Sequence, residues 1–187
     1  LSLGCYHSEQ FPKMSLRLWA SAGDIIKVTG DNTLIYTWRV EGNAPENASW
    51  QTFLNDSREL YDDLQRNLLY EYEIYKEAML LPQEKRQAYR KAKNDSIRNV
   101  ANAISIQIHA NEIRRMKEAE VDAVWLDRLF MLARSSKLEK DYPYTKEVIA
   151  LYNSLTEEQR KEKLAQEAYV MLFPPQHVEI GKEMADA

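Results

Sequence analysis

The stretch Leu34-Ile-Tyr-Thr-Trp-Arg-Val-Glu-Gly42-Asn-Ala-Pro45-Glu-Asn-Ala-Ser-Trp50-Gln-Thr-Phe53-Leu54 contains the change of period that decides the fold. Before Gly42 it is rich in β-branched and aromatic residues, which suit a pleated strand. After Pro45 the apolar residues recur every three or four positions, the spacing of one helix face. Glycine usage marks the same boundary: Gly4, Gly23, Gly30 and Gly42 punctuate the opening, and no glycine occurs from 43 to 180. Glycine serves turns and strand ends that need positive φ, so β structure is expected first and helices after it.

Upstream of Gly42, Met14 to Ala20 alternates Leu16 and Leu18 with Ser15, Arg17 and Trp19, a period-two strand pattern. Ser21 to Asp24 reads as a turn. Ile25 to Thr29 and Leu34 to Val40 read as adjacent strands joined by Gly30-Asp31-Asn32. Leu1 to Tyr6 adds a further strand, with His7 to Lys13 as its connection. Three or four short strands make a thin sheet, so residues 1–42 are expected to be part of a larger β domain.

Downstream, Trp50, Phe53, Leu54, Leu60, Tyr61, Leu64, Leu68, Tyr72, Tyr75 and Met79 form the stripe of one long amphipathic helix, about 47 to 80. Pro82 ends it, and a second helix opens at Gln83 with Ala88, Ile97, Val100, Ala101, Ile104 and Ile108 as its apolar face. Val121 to Leu132 gives a third, with Val124, Trp125, Leu129 and Leu132 on one side and Asp122 near its positive end. Ser135 to Pro143 closes it. Val148, Ile149, Leu151, Tyr152 and Leu155 mark a fourth. Thr156-Glu-Glu-Gln159 has the form of a capping box, opening a fifth helix that runs to Phe173 before Pro174-Pro175. The expected fold is therefore α+β: a short antiparallel β segment (1–42), a bundle of about five helices (43–173) and a tail (174–187). No fixed-period repeat or low-complexity tract is present.

Composition narrows the chemistry. The 187 residues carry 25 Lys and Arg against 29 Asp and Glu, a net charge of −4, which does not suit a general nucleic-acid binder. No apolar run is long enough to span a membrane as a helix. A single cysteine, Cys5, excludes an internal disulfide, a Cys-x-x-Cys redox pair and a cysteine-based metal site within these residues; His7, His109 and His177 are scattered.

Each remaining constellation has a plain reading as well as a chemical one. Asp62 and Asp63 are adjacent helix positions about 100° apart, which suits a solvated acidic face better than a paired acid and base. His109 and Glu112 form half of a carboxylate-bridged metal site, but no second pair at that spacing exists. Lys85, Arg86, Arg90, Lys91, Lys93 and Arg98 make a locally basic helix face, able to meet phosphate or an acidic partner, that lacks the aromatic interleaving of a single-strand binder. The 11 tyrosines and four tryptophans fall mostly on core stripes, so packing accounts for them better than carbohydrate stacking. Asn47-Ala-Ser49 and Asn94-Asp-Ser96 match a glycosylation sequon with nothing else pointing to that context. Leu1-Ser-Leu-Gly-Cys5 admits two readings, a weak bacterial lipobox with Cys5 as the acylated residue or a strand with Cys5 as a small semi-buried side chain.

Two passages together resemble a known family. Ala22-Gly23-Asp24-Ile-Ile-Lys-Val28-Thr-Gly30-Asp31 followed by Trp38-Arg-Val-Glu-Gly42 resembles the β-rich N-terminal domain of TlpA/ResA-like thiol-disulfide oxidoreductases of Bacteroides-type bacteria. Pro174-Pro-Gln-His-Val178-Glu-Ile180-Gly181-Lys-Glu-Met184-Ala-Asp186 is similar to the segment leading into their thioredoxin-like domain. The resemblance implies a periplasmic or cell-envelope setting, with an N-terminal lipid anchor as one mode of attachment. It places the catalytic Cys-x-x-Cys in a downstream domain outside these residues. No catalytic, cofactor-binding or metal-ligating residue carries over to this chain, and no cofactor is implied. The expected role is a noncatalytic accessory region of an oxidoreductase. Its partners would be its own thioredoxin-like domain, envelope substrate proteins or a second copy, with no nucleic acid and no transmembrane segment. A free-standing helical interaction or adaptor module is the alternative.

Overall fold

The computed structural model describes residues 2–4 and 15–174, and the chain divides into two compact units, 1–125 and 126–187. The β segment therefore shares a unit with the first three helices, and the boundary falls inside the fourth. The α+β expectation holds, with short antiparallel strand pairs followed by helices.

In the first unit, strand β1 (Ser2–Gly4) pairs antiparallel with β2 (Ser15–Arg17), Leu3 opposite Leu16. Strand β3 (Lys27–Thr29) pairs with β4 (Arg39–Glu41), Val28 opposite Val40. The strands are shorter than their sequence patterns, and the expected strand over 34–40 contains a 3-10 turn, Ile35–Thr37. Asn32 Oδ1 accepts the Leu34 N–H at 2.7 Å, and the Thr37 hydroxyl donates to the Leu34 carbonyl at 2.7 Å, so local side chains take bonds a strand partner would have made. Gly23 sits at φ +88°, and the Asp24 carboxylate accepts the Ser21 N–H at 2.7 Å, closing the turn that precedes β3.

Helix α1 (Pro45–Asp56) starts with proline in its first turn, and α2 (Arg58–Met79) follows after one nonhelical residue. The single helix expected over 47–80 is thus two, which raises the described helices from five to six. Ser57, at φ −130° and ψ 23°, is the break. Its cause lies far along the chain: Arg115 donates two hydrogen bonds of 2.7 Å to the Asp56 carboxylate. Asn111 adds bonds to the Asp56 carbonyl (3.3 Å) and the Ser57 hydroxyl (3.1 Å), satisfying groups that a helix end leaves open.

Helix α3 (Gln83–Glu118) returns antiparallel along α2 after the turn Leu80–Pro82. At 36 residues it is about 54 Å long, well beyond the roughly 33 Å of α2, so it also packs on α1. Helix α4 (Ala123–Leu138) begins with Asp122 accepting the Trp125 N–H at 2.7 Å, an N-cap, while the buried Trp125 indole donates to the Met116 carbonyl at 2.9 Å.

Two buried amides fasten the β segment to the helices. Asn47 of α1, 5% exposed, accepts the Trp19 N–H and donates to the Trp19 carbonyl, both at 2.9 Å. Gln65 of α2, fully buried, accepts the Ile35 N–H at 2.8 Å and donates to the Thr33 carbonyl at 2.5 Å. Each side chain stands in for a neighbouring strand. Around them Leu16 and Ile35 pack with Val28, Tyr36, Val40, Leu68 and Leu69.

In the second unit, the later turns of α4 are followed by α5 (Thr145–Asn153) and α6 (Lys163–Leu172), with Leu129, Leu132, Val148, Leu151, Ala165 and Ala168 buried. The capping box forms as its sequence suggests: the Thr156 hydroxyl accepts the Gln159 N–H at 3.3 Å, and the Gln159 side chain accepts the Thr156 N–H at 2.9 Å. It opens a 3-10 turn, Gln159–Lys161, and α6 starts only at Lys163. Cys5, His7 and His177, the connection to β2 and the tail past Pro174 lie outside the described residues.

Candidate interaction surfaces

Glu112 does not present a carboxylate to solvent beside His109. It is 3% exposed and accepts a 3.1 Å hydrogen bond from the buried Tyr61 hydroxyl, in an aromatic cluster where Trp50 stands edge-on to Tyr61. Glu112 therefore belongs to core packing, while His109 is half-buried. Among the described residues no three His, Cys, Asp or Glu side chains converge as a metal-holding group.

Asp62 and Asp63 are separated by environment. Asp63 is exposed, whereas Asp62 is half-buried with one carboxylate oxygen buried and unbonded. Burial pushes the Asp62 carboxyl above its ordinary value, against the opposing pull of Arg58 and Arg66. The sequon asparagines are also placed. Asn47 is buried with its amide committed to Trp19, which leaves no room for a glycan, and Asn94 is half-buried within α3.

Two surfaces offer polar chemistry. A pocket of about 480 Å³ beside the β3–β4 turn is lined by Thr29, Asp31, Asn32, Thr37, Arg39 and Arg58. The carbonyl of Asn32, one of its lining residues, accepts the Trp38 indole N–H at 2.7 Å. The second is the basic face of α3, an open groove of about 480 Å³ lined by Arg86, Arg90, Lys91 and Arg98 with intervening amides and Asp95. Four of the six cations that the sequence grouped share that face; Lys85 does not line the groove, and Lys93 is engaged by Glu77 at 3.5 Å and lies 4.8 Å from the Tyr89 ring centre. Glu77 also accepts a 2.5 Å bond from the Tyr89 hydroxyl, and that bond, with Lys93, holds its carboxyl below the ordinary glutamate value.

The apolar stripe turns away from its expected course at the end of this hairpin. Ile74 and Ala78 are the buried residues, while Tyr75 and Met79 are exposed. On α3, Ala88 and Val100 are exposed where the pattern placed them inward. Arg90 lies over the Tyr75 ring at 5.4 Å and Lys76 over the Tyr72 ring at the same distance, so tyrosines and cations alternate on this surface. In the second unit Tyr152, Tyr169 and Phe173 form a ring cluster with centroids 5.0–5.7 Å apart, capped by Arg160 over Tyr152.

No helix among the described residues is long and apolar enough to cross a membrane. Comparison of the chain with protein-family models, with curated proteins and with solved structures finds no match.

Proposed function

We propose that this chain is the noncatalytic N-terminal accessory region of a cell-envelope thiol-disulfide oxidoreductase, positioning or pairing the downstream thioredoxin-like domain or contacting its substrate proteins. One observation carries the reading: the Gly-Asp motif that bears the family resemblance consists of residues with defined geometric work. Gly23 takes a positive φ and Asp24 closes its turn. Gly30 lies against Trp38 so closely that a β-carbon there would meet the indole at 2.2 Å. Both glycines of the motif thus stand where a side chain would strain the turn or strike the indole, which supports reading the motif as a structural unit.

The rest of the described chain suits a module that binds rather than reacts, because its buried carboxylate Glu112 is bonded within the core and its polar surfaces are open. The alternating tyrosines and cations of the α2–α3 hairpin favour one second reading, a free-standing helical interaction module. Insulin-disulfide reduction tests the first: the 187-residue chain is expected to give no turnover, and turnover would overturn the assignment. Sequencing the reading frame beyond Ala187 separates the two. A βαβ pattern with Cys-x-x-Cys supports the accessory role, and a stop codon directly after Ala187 supports the free-standing module.

A further inference from the structure

We propose that the tip of the α2–α3 hairpin docks on an anionic lipid surface, with Leu80 and Met79 entering the boundary between headgroups and acyl chains while Lys85, Arg86, Arg90 and Lys91 meet the lipid phosphates. This goes beyond the oxidoreductase reading and does not rest on it. Met79, the last residue of α2, and the turn Leu80-Leu-Pro82 make four consecutive apolar residues; Leu80 is 88% exposed, Met79 44%, and Leu81 half-buried. Exposed apolar side chains are normally scattered singly, so a contiguous run at the most projecting point of a hairpin calls for an occupant.

Three features select lipid over a protein partner. The tip is convex, suited to entering a soft phase rather than receiving a peptide in a groove. Its backbone is already paired at several points: the Leu80 N–H to the Glu77 carbonyl, the Leu81 N–H to the Ala78 carbonyl at 3.1 Å, and the Pro82 carbonyl from the Lys85 N–H at 2.9 Å. The Leu81 carbonyl accepts from Arg86 Nε at 2.9 Å. Groups satisfied internally can leave water, as a lipid interface demands. Charge is the third feature. Residues 76–93 carry six cations against Glu77 and Glu84, in a chain whose net charge is −4; Lys76 is paired with Glu73 at 2.7 Å and Lys93 with Glu77 at 3.5 Å, so the positive surplus near the tip lies in Lys85, Arg86, Arg90 and Lys91. Lys91 is nine residues past Pro82, about 13 Å along the helix, so these cations reach the headgroup layer when the tip is seated. Tyr72, Tyr75 and Tyr89 among them are amphipathic in the manner of interfacial aromatics.

The test is sedimentation of the full chain with sucrose-loaded vesicles of phosphatidylcholine alone or of three parts phosphatidylcholine to one part phosphatidylglycerol. Binding is expected on the anionic vesicles only and should weaken as salt is raised. Leu80→Asp should lower it at least about tenfold, and Lys85→Glu and Lys91→Glu at least about fivefold each. Lys146→Glu on α5 should leave it unchanged. Thermal melts of the variants report whether each is folded, and Leu80, being exposed, tolerates the change. Absence of binding to either vesicle overturns the proposal, as does equal binding to neutral vesicles. Binding that Leu80→Asp leaves intact also overturns it, since it would mark a charge-only surface of the kind an acidic protein partner would use.

Discussion

Replacing Gln65 by leucine tests whether a single buried amide holds the β segment on the helices. Gln65 is completely buried, accepts the Ile35 N–H at 2.8 Å and donates to the Thr33 carbonyl at 2.5 Å. Leucine fills nearly the same volume but offers neither function. The Ile35 N–H would then stay buried without an acceptor, at a cost of about 1–3 kcal/mol. Thr33 is exposed, so its carbonyl can turn to water and adds only about 0.5–1 kcal/mol. Burial of leucine in place of a polar amide offsets about 1 kcal/mol of this. Gln65→Leu should therefore destabilise the first unit by about 0.5–3 kcal/mol. Urea unfolding followed by tryptophan fluorescence and by circular dichroism measures this, both probes being needed because a chain with two compact units need not unfold in one step. Hydrogen exchange adds a local readout, since the Ile35 amide should lose about tenfold or more of its protection. An unfolding free energy within about 0.5 kcal/mol of the parent, together with unchanged Ile35 exchange, would refute the argument.

Asp62→Asn should be neutral or stabilising at pH 7. Burial raises the carboxyl's folded pKa, so its charged form is penalised there, and the parent should gain on the variant as pH falls through the folded value in melts from pH 7 to pH 3. Asp56→Asn should behave in the opposite sense. The Arg115 hydrogen bonds lower the folded pKa of Asp56, so its contribution, about 1 kcal/mol after discounting for its partly exposed position, is complete above the ordinary value of 3.8. It should fade as pH falls through the lower folded value, and the same pH series reads it. Gly30→Ala should cost about 1–3 kcal/mol, with a shift in tryptophan emission, because the new β-carbon forces the Trp38 ring from its place.

Much of the fold was legible in local sequence. The period change at Gly42, the helix face of Val124, Trp125, Leu129 and Leu132, and the reciprocal bonds of Thr156 and Gln159 all follow from residues within a few positions of one another. What escaped depends on distant partners. The break at Ser57 is held by Arg115, 59 residues from Asp56, and the 3-10 turn at Ile35 by Gln65, 30 residues away; neither leaves a mark in local propensity. Tyr75 and Met79 satisfied a three-to-four spacing, but over six turns that spacing drifts relative to a straight helix, and Ile74 and Ala78 took the inward positions. The basic face of α3 was legible as charge. Its relation to the apolar turn was not, since Met79 read as the last core residue and Pro82 as punctuation.

The two amide clamps also order events in time as the chain leaves the ribosome. Helices α2 and α3 are joined by three residues and make local contacts, so they can pair as soon as both exist. The β segment is synthesised first, yet Trp19 must wait for Asn47, 28 residues on, and Ile35 for Gln65, 30 residues on. Until α2 emerges, backbone groups in and beside the short strands stand open to any other strand that passes, in the condition from which intermolecular pairing starts. The helices thus act on the N-terminal segment as a late-arriving lid for its backbone, and conditions that slow elongation between Gly42 and Gln65 lengthen the interval during which the nascent chain is exposed to aggregation.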